Sequence, residues 1–405
     1  MRLPWVQEAY VKPLNTGAGD EFGYSVSLDS DGNTLAVGAP LEDSDSIVVN
    51  GVNNDSSTDS GAVYVFTKSG TWSQEAYIKP TNTGNDDQFG YSVSLDSSGT
   101  TLAIGALFED SNTTGINLGS NDSGSNNGAA YVFVKSGTWS QEAYIKSDIT
   151  DDDDQFGNSV SLSQDGTTLA VGAYLEDSDS KVVDGVNNDD AANSGAVYVF
   201  TKSGTWSQDA YIKPLNTGAG DQFGRAVSLN SDGTALAVGA DLERSSAIGV
   251  GGDGTNDSLS DAGAAYTFTK SGGVWSQEAY IKASNTEPDD RFGYSVSLSP
   301  DGNTLAVGAH FENSNATGIN GDQSNNARPD SGAAYVFVKS GSWSQDSYLK
   351  AAATNDIDEF GFALSLDADG GNLAVGAYSE DSNATGVGGD GSNNTQADSG
   401  AVYLY

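Results

Sequence analysis

Residues 22–66 open with Phe22-Gly23-Tyr24-Ser25-Val26-Ser27-Leu28, turn at Asp31-Gly32 and continue as Thr34-Leu35-Ala36-Val37-Gly38-Ala39. After a loop rich in Asp, Asn and Ser they end as Gly61-Ala62-Val63-Tyr64-Val65-Phe66. In the first run, bulky Phe, Tyr, Val and Leu alternate with Gly and Ser. This period of two gives a strand one large and one small face. Asp-Gly between two such runs signals a hairpin, with glycine supplying the positive φ. The third run is rich in Val, Tyr and Phe, as strands prefer. Beyond it, Trp72-Ser73-Gln74-Glu75-Ala76-Tyr77-Ile78-Lys79 supplies a fourth strand, with Trp72, Gln74, Ala76 and Ile78 on one side. No segment shows capped helical periodicity, so the unit is all-β.

The unit recurs. Trp5, Trp72, Trp139, Trp206, Trp275 and Trp343 are spaced by 67, 67, 67, 69 and 68 residues, and each heads a version of the same segment. A repeat this long is a supersecondary unit. Six four-stranded units predict a six-bladed β-propeller, with residues 1–405 forming one domain. The blades run over about 20–79, 87–146, 154–213, 221–282, 290–350 and 358–405. The chain begins with an outer strand, residues 5–12, and ends on the third strand of a unit. Pairing the two predicts a ring closed by the N-terminal strand, which completes the last blade and hides both edges.

Composition narrows function. The chain has 56 acidic and 17 basic residues, a net charge of −39, no cysteine and one histidine, His310. A basic face for nucleic acid is excluded, as are thiol chemistry and cysteine-based zinc sites. No apolar run approaches a membrane span, and residues 1–10 carry no signal-peptide core. Eleven lysines recur. Lys12, Lys79, Lys146, Lys213, Lys282 and Lys350 end the Trp strand, and Lys68, Lys135, Lys202, Lys270 and Lys339 end the third. They read as edge charges that discourage association between sheets.

The combination F-G-Y-S-V, L-A-V-G-A-P and G-A-V-Y-V-F, complete in residues 22–66, resembles the FG-GAP repeat of integrin α-subunit propellers and their bacterial relatives. The resemblance covers essentially the whole chain. It implies blades that start at Phe-Gly and second strands that end at Gly-Ala-Pro. It also implies extracellular binding or adhesion without intrinsic catalysis. Integrin propellers have seven such units, and six are found here. Several integrin blades carry calcium in a D-x-D-x-D-G-x-x-D loop between the first two strands. Asp29-Ser30-Asp31-Gly32 is too short for that loop, so calcium is not carried over to it.

Other acidic positions recur in every unit. Asp20, Asp87, Asp154, Asp221, Asp290 and Asp358 precede x-F-G, and Glu42, Glu109, Glu176, Glu243, Glu312 and Glu380 follow the second strand. Just before the third strand stand Asp59, Asn126, Asn193, Asp261, Asp330 and Asp398. Hairpin pairing puts the Asp and Glu of a unit on one rim. Three converging oxygen ligands would suit calcium, whereas loop-organising hydrogen bonds are the plainer reading. Positions that differ between blades are better ligand candidates. Tyr174, His310 and Tyr378 follow V-G-A, with Phe108 and Phe311 one residue further on. These side chains predict contact with a protein or glycan partner on the loop-bearing face. The function expected is a non-catalytic, secreted or cell-surface binding or adhesion module, with a glycan-binding lectin as the alternative. A carbohydrate-active enzyme would need an acidic pair unique to one blade, and none is found.

Overall fold

The computed structural model describes residues 7–15 and 17–405. The first blade contains an inner strand Val26–Leu28, then Thr34–Ala39, Ala62–Ser69 and an outer strand Thr71–Ile78, each antiparallel to its neighbour. Four sheets repeat this order. The fifth adds a two-residue strand, Gly318–Ile319, against its outer strand Ser342–Lys350. Inner strands of successive blades touch one another around the axis, and the fold is an all-β, six-bladed propeller, as its sequence predicts. No helix among the described residues is long and apolar enough to cross a membrane.

The core lies between blades. One buried cluster joins Ala103, Val132 and Ile145 of the second blade to Phe156, Leu169, Tyr198, Trp206 and Tyr211 of the third. The small face of each sheet thus receives the bulky face of the next. Closest approach falls where the glycine of V-G-A meets the glycine of F-G in the following blade. A Cβ placed on Gly38, Gly105, Gly172, Gly239 or Gly308 would lie 2.0, 1.9, 2.2, 1.8 or 2.0 Å from the carbonyl oxygen of Gly90, Gly157, Gly224, Gly293 or Gly361. Only glycine fits. Serine side chains reinforce each boundary: the Ser27 Oγ accepts the Leu95 N–H at 2.9 Å, and Ser94 treats Leu162 in the same way at 3.0 Å.

A β-bulge couples the outer strands to the next blade. Val65 pairs with Ala76 and Phe66 with Gln74, so Glu75 is the extra residue. A bulge re-aims a side chain, and here Glu75 reaches Lys135 and accepts the Trp139 indole N–H of the second blade. Glu142 does the same with Lys202 at 2.6 Å, and Asp209 with Lys270 at 2.9 Å. The third-strand lysines are therefore struts between blades.

Ring closure differs from expectation. The sixth sheet has three strands, Phe360–Leu366, Leu373–Ala377 and Ala401–Leu404. Residues 7–12 form no strand, and residues 5 and 6 lie outside the described residues. The N-terminal segment instead seats on the first blade. Glu8 pairs with Lys68, the Leu14 N–H donates to Gln74 at 2.8 Å, and Val11 packs against the cluster around Tyr64. This is how each outer strand seats on the blade that follows it. The other side of the seam stays open: Val402 is 71% exposed. Likewise Leu28 is 55% exposed, whereas Leu95, Leu162, Leu229 and Leu298 lie at 8, 7, 8 and 6%.

The boundary glycines test this seam. Overpacking costs ~1–3 kcal/mol, so Gly172→Ala should lower unfolding free energy by at least that amount in urea titration. At Gly376 the nearest atom to an added Cβ is 3.4 Å away and belongs to its own blade. Gly376→Ala should be close to neutral, and a loss matching that of Gly172→Ala would show a closed ring.

Candidate functional site

The recurrent acidic residues divide into two groups. Each Glu is buried and engaged. Glu42 takes the Lys79 ammonium at 3.0 Å and the Tyr77 hydroxyl at 2.8 Å, and the Lys79 ammonium also donates to Ser60 and to the Gly61 carbonyl. Glu109 meets Lys146 at 3.0 Å, Glu176 meets Lys213 at 2.7 Å, and both Glu243–Lys282 and Glu312–Lys350 span 2.8 Å. These outer-strand lysines are buried, not edge charges. Burial lowers their pKa, and the paired Glu opposes that shift. Among the described residues, Glu380 has no such lysine, and its Oε1 is buried without a partner.

The Asp before x-F-G does neighbour its Glu, as expected. Its carboxylate closes a loop, with Asp87 accepting the Gly84 N–H at 2.7 Å and Asp20 accepting that of Gly17 at 2.7 Å. Burial, then the nearby Glu, pushes Asp87, Asp154 and Asp221 up to about 8 and Asp290 to about 9. Burial raises Asp358 to about 6.

The third position does not converge on that pair. Asp59, Asn126, Asn193, Asp261, Asp330 and Asp398 have φ between 43° and 54°, the left-handed region that Asp and Asn tolerate best after glycine. The carbonyls of the first five bond the following unit's x-F-G backbone, as when Asp59 accepts the Gln88 N–H at 3.0 Å. Backbone conformation thus accounts for the recurrence of these residues. As a calcium donor set the positions fit poorly. The Glu oxygens hold an ammonium and a hydroxyl, the Asp oxygens are spent on closing their own loop, and the third residue's carbonyl bonds the following unit.

Sixfold repetition breaks at one place. The residue after F-G faces the axis and is in turn Tyr24, Tyr91, Asn158, Arg225, Tyr294 and Phe362. The Arg225 guanidinium lies 5.2 Å from the Tyr174 ring and 4.6 Å from that of Tyr294, and donates to the Tyr294 hydroxyl at 2.9 Å. Burial alone would lower its pKa, but Tyr294 and Asp241 outweigh burial and keep it firmly protonated. Asp241 is buried beside it, 3.8 Å from Arg291, with Oδ1 unpartnered. His310 packs 4.0 Å from both Tyr294 and Phe311, and its Nδ1 is also unpartnered. Burial, then Arg291 and Arg225, lowers the His310 pKa to about 3, so the ring is neutral at physiological pH. Phe362 stacks on Tyr378 at 4.8 Å, and Tyr378 is 63% exposed.

The structure therefore brings together Tyr174, His310, Phe311 and Tyr378 of the predicted ligand contacts. Phe108 is half-buried, and no ring pair joins it to them among the described residues. Sequence reading missed Arg225, Arg291, Tyr294 and Phe362 and gave no role to Asp241. The available signal was an arginine, scarce in this chain, at a strand position otherwise aromatic or Asn.

Separate grooves lie between blades. One of 390 Å³ is lined by Ser284, Asn285, Glu287 and Gln323, and another of 270 Å³ by Asn82, Asn117, Gln141 and Tyr144.

Family comparison agrees with the geometry. The FG-GAP repeat family matches residues 5–66, 72–133, 139–200, 206–268 and 275–337. No curated protein matches the sequence significantly. Among solved structures, a candidate 6-phosphogluconolactonase from Bacteroides uniformis is similar at 11% identity and a TM-score of 0.48. That match covers 94% of this chain and 88% of the other. Hydrazine synthase of Kuenenia stuttgartiensis is similar at 12% identity and a TM-score of 0.48, covering 87% and 79%.

Two measurements probe the buried acids. Removing one member of a buried ion pair costs ~3–5 kcal/mol. Lys213→Met should lose about that much in urea unfolding, and adding Glu176→Gln should restore part of it. The raised Asp residues set a pH dependence. Their unfolded pKa is ~3.9, so between there and 8–9 the folded state binds more protons than the unfolded one. Stability then falls as pH rises; their contribution is complete below about pH 4 and lost once pH passes the folded values. Melting temperature should be higher at pH 5 than at pH 9, and Asp154→Asn should reduce the difference.

Proposed function

Because the chain belongs to the FG-GAP repeat family, we propose that it is a non-catalytic binding module that recognises a partner through the mouth of its central channel. The observation that carries this reading is the loss of repetition there. A purely architectural wheel needs the same residue in every blade, and in the first five blades the boundary glycines and Glu–Lys pairs comply. Around the axis, two guanidiniums, one buried carboxylate, one neutral imidazole and several rings stand where the other blades differ. Loop and strand-end residues on a rigid scaffold are the usual seat of recognition. Aromatic rings beside a few placed polar groups characterise a binding site. We place the module outside the cell, in adhesion or surface recognition, and assign calcium no role at the repeated Asp and Glu positions.

A second reading has its own support. The polar grooves between blades, with Asn, Gln and Tyr on their walls, suit a glycan lectin that binds at several equivalent places. A glycan array and a panel of surface proteins, probed with wild type, Tyr378→Ala and Asn82→Ala, separate the two. Tyr378 is exposed, so its truncation should spare the fold. Binding should fall at least about tenfold in Tyr378→Ala, ~1.4 kcal/mol, and persist in Asn82→Ala. The reverse pattern would move recognition to the grooves.

A further inference from the structure

We propose that the channel mouth binds a carboxylate-bearing sugar, a hexuronic acid unit of an acidic glycan, with Arg225 holding the carboxylate. The inference rests on reading the mouth as the recognition face and specifies its ligand.

The unsatisfied groups at the mouth define what would complete it. Arg225 has five N–H donors and spends one on the Tyr294 hydroxyl. No ion pair joins it to a carboxylate among the described residues, although the chain carries 56 acids. Tyr174 and Tyr294 pack against the guanidinium at 5.2 and 4.6 Å, which restricts its fork, a group suited to a planar, two-oxygen partner. Asp241 sits between the two arginines, 3.8 Å from Arg291 and close enough to Arg225 to feel its charge. The local sum of Arg225, Arg291 and Asp241 is one positive charge, and neutral His310 adds none. A single anionic group matches it.

Two buried polar atoms remain. Among the described residues, Asp241 Oδ1 and His310 Nδ1 each lack a partner, in side chains that are 1% and 3% exposed. A buried polar atom left unpaired costs ~1–3 kcal/mol, so both sites favour a ligand that brings hydroxyls, which donate or accept. Tyr378, stacked on Phe362 and largely exposed, offers a flat apolar face to the C–H side of a pyranose ring. Carboxylate, hydroxyls and an apolar ring face on one small body describe a uronic acid. A neutral sugar would leave Arg225 unpaired, and an aliphatic carboxylate would leave Asp241 and His310 unfilled.

The test is calorimetric titration of the full chain with trigalacturonic acid, its fully methyl-esterified form and maltotriose. The acid should bind, and both neutral ligands should bind at least about tenfold more weakly, ~1.4 kcal/mol. Esterification changes the ligand and leaves the protein intact, so that comparison does not depend on any variant folding. Arg225→Gln should lose the acid-over-ester preference, while Arg328→Gln, an exposed arginine paired with Asp356 far along the sequence, should keep it. Equal binding of acid and ester would overturn the carboxylate assignment while leaving the mouth as a glycan site. No binding of any sugar, with a protein ligand still lost in Tyr378→Ala, would overturn the sugar assignment and leave the binding module standing. A preference that survives Arg225→Gln would overturn the role given to that residue.

Discussion

Backbone meets backbone at every blade boundary, and the rest of the molecule is arranged around that contact. A carbonyl oxygen of one unit sits where a side chain of the previous unit would begin, so both strands carry glycine at that point. Two sheets can then approach closely enough for alanine and valine on one face to receive phenylalanine and tyrosine from the other. The family's repeated Phe-Gly and Gly-Ala pairs thus describe one joint. The phenylalanine fills the space under the neighbouring tyrosine, as Phe89 does edge-on against Tyr131 at 5.2 Å. Because the joint is steric, it is tuned to a single separation, and the chain repeats it five times.

Charge is handled with the same economy. Only 17 basic residues face 56 acidic ones, yet two lysines per regular unit are committed to architecture. One is driven into the blade to meet a glutamate and a tyrosine, and the other crosses to the bulged acid of the preceding blade. Desolvation makes the buried pair a weak source of net stability. Its effect is positional: Lys79 ties the outer strand to the turn that precedes the third strand and satisfies the Gly61 carbonyl there. The arginines, by contrast, follow no repeat. Two of them meet at the axis beside the one histidine, and that asymmetry separates what the wheel is from what it does.

Much of the fold was legible because its signals are local. Period-two alternation, the Asp-Gly turn and the Trp spacing specify strands, hairpins and blade count without knowledge of neighbours. What stayed hidden depends on distant partners. Lys79 looks like an edge charge until Glu42, 37 residues earlier, is seen across the blade. Asp59 and its counterparts look like metal ligands because sequence reports a carboxylate or amide and not the left-handed backbone that selects it. The seam was misjudged for a related reason. Matching an unpaired strand with an unpaired edge assumes that the edge comes within reach, and although the N-terminal segment seats on the first blade as an outer strand does, no pairing with Ala401–Leu404 forms among the described residues. At the mouth, the aromatic positions after V-G-A were visible, but Arg225 joins them only through a neighbouring blade.

An interrupted wheel is thermodynamically uneven. In a repeat array each unit draws part of its stability from its neighbours, and the four central blades have one on either side. Among the described residues the sixth packs against the fifth alone, and its buried Glu380 goes without the cation that its counterparts enjoy. Fraying should therefore start from that end of the arc, and the rings of Phe362 and Tyr378 belong to it. One wall of the axial cluster rides on the most loosely held unit while Arg225 and Asp241 stand on a firmly clamped one. A ligand that bridged the two walls would knit the weakest module to the strongest, so that occupancy and cohesion of the terminal unit would rise together.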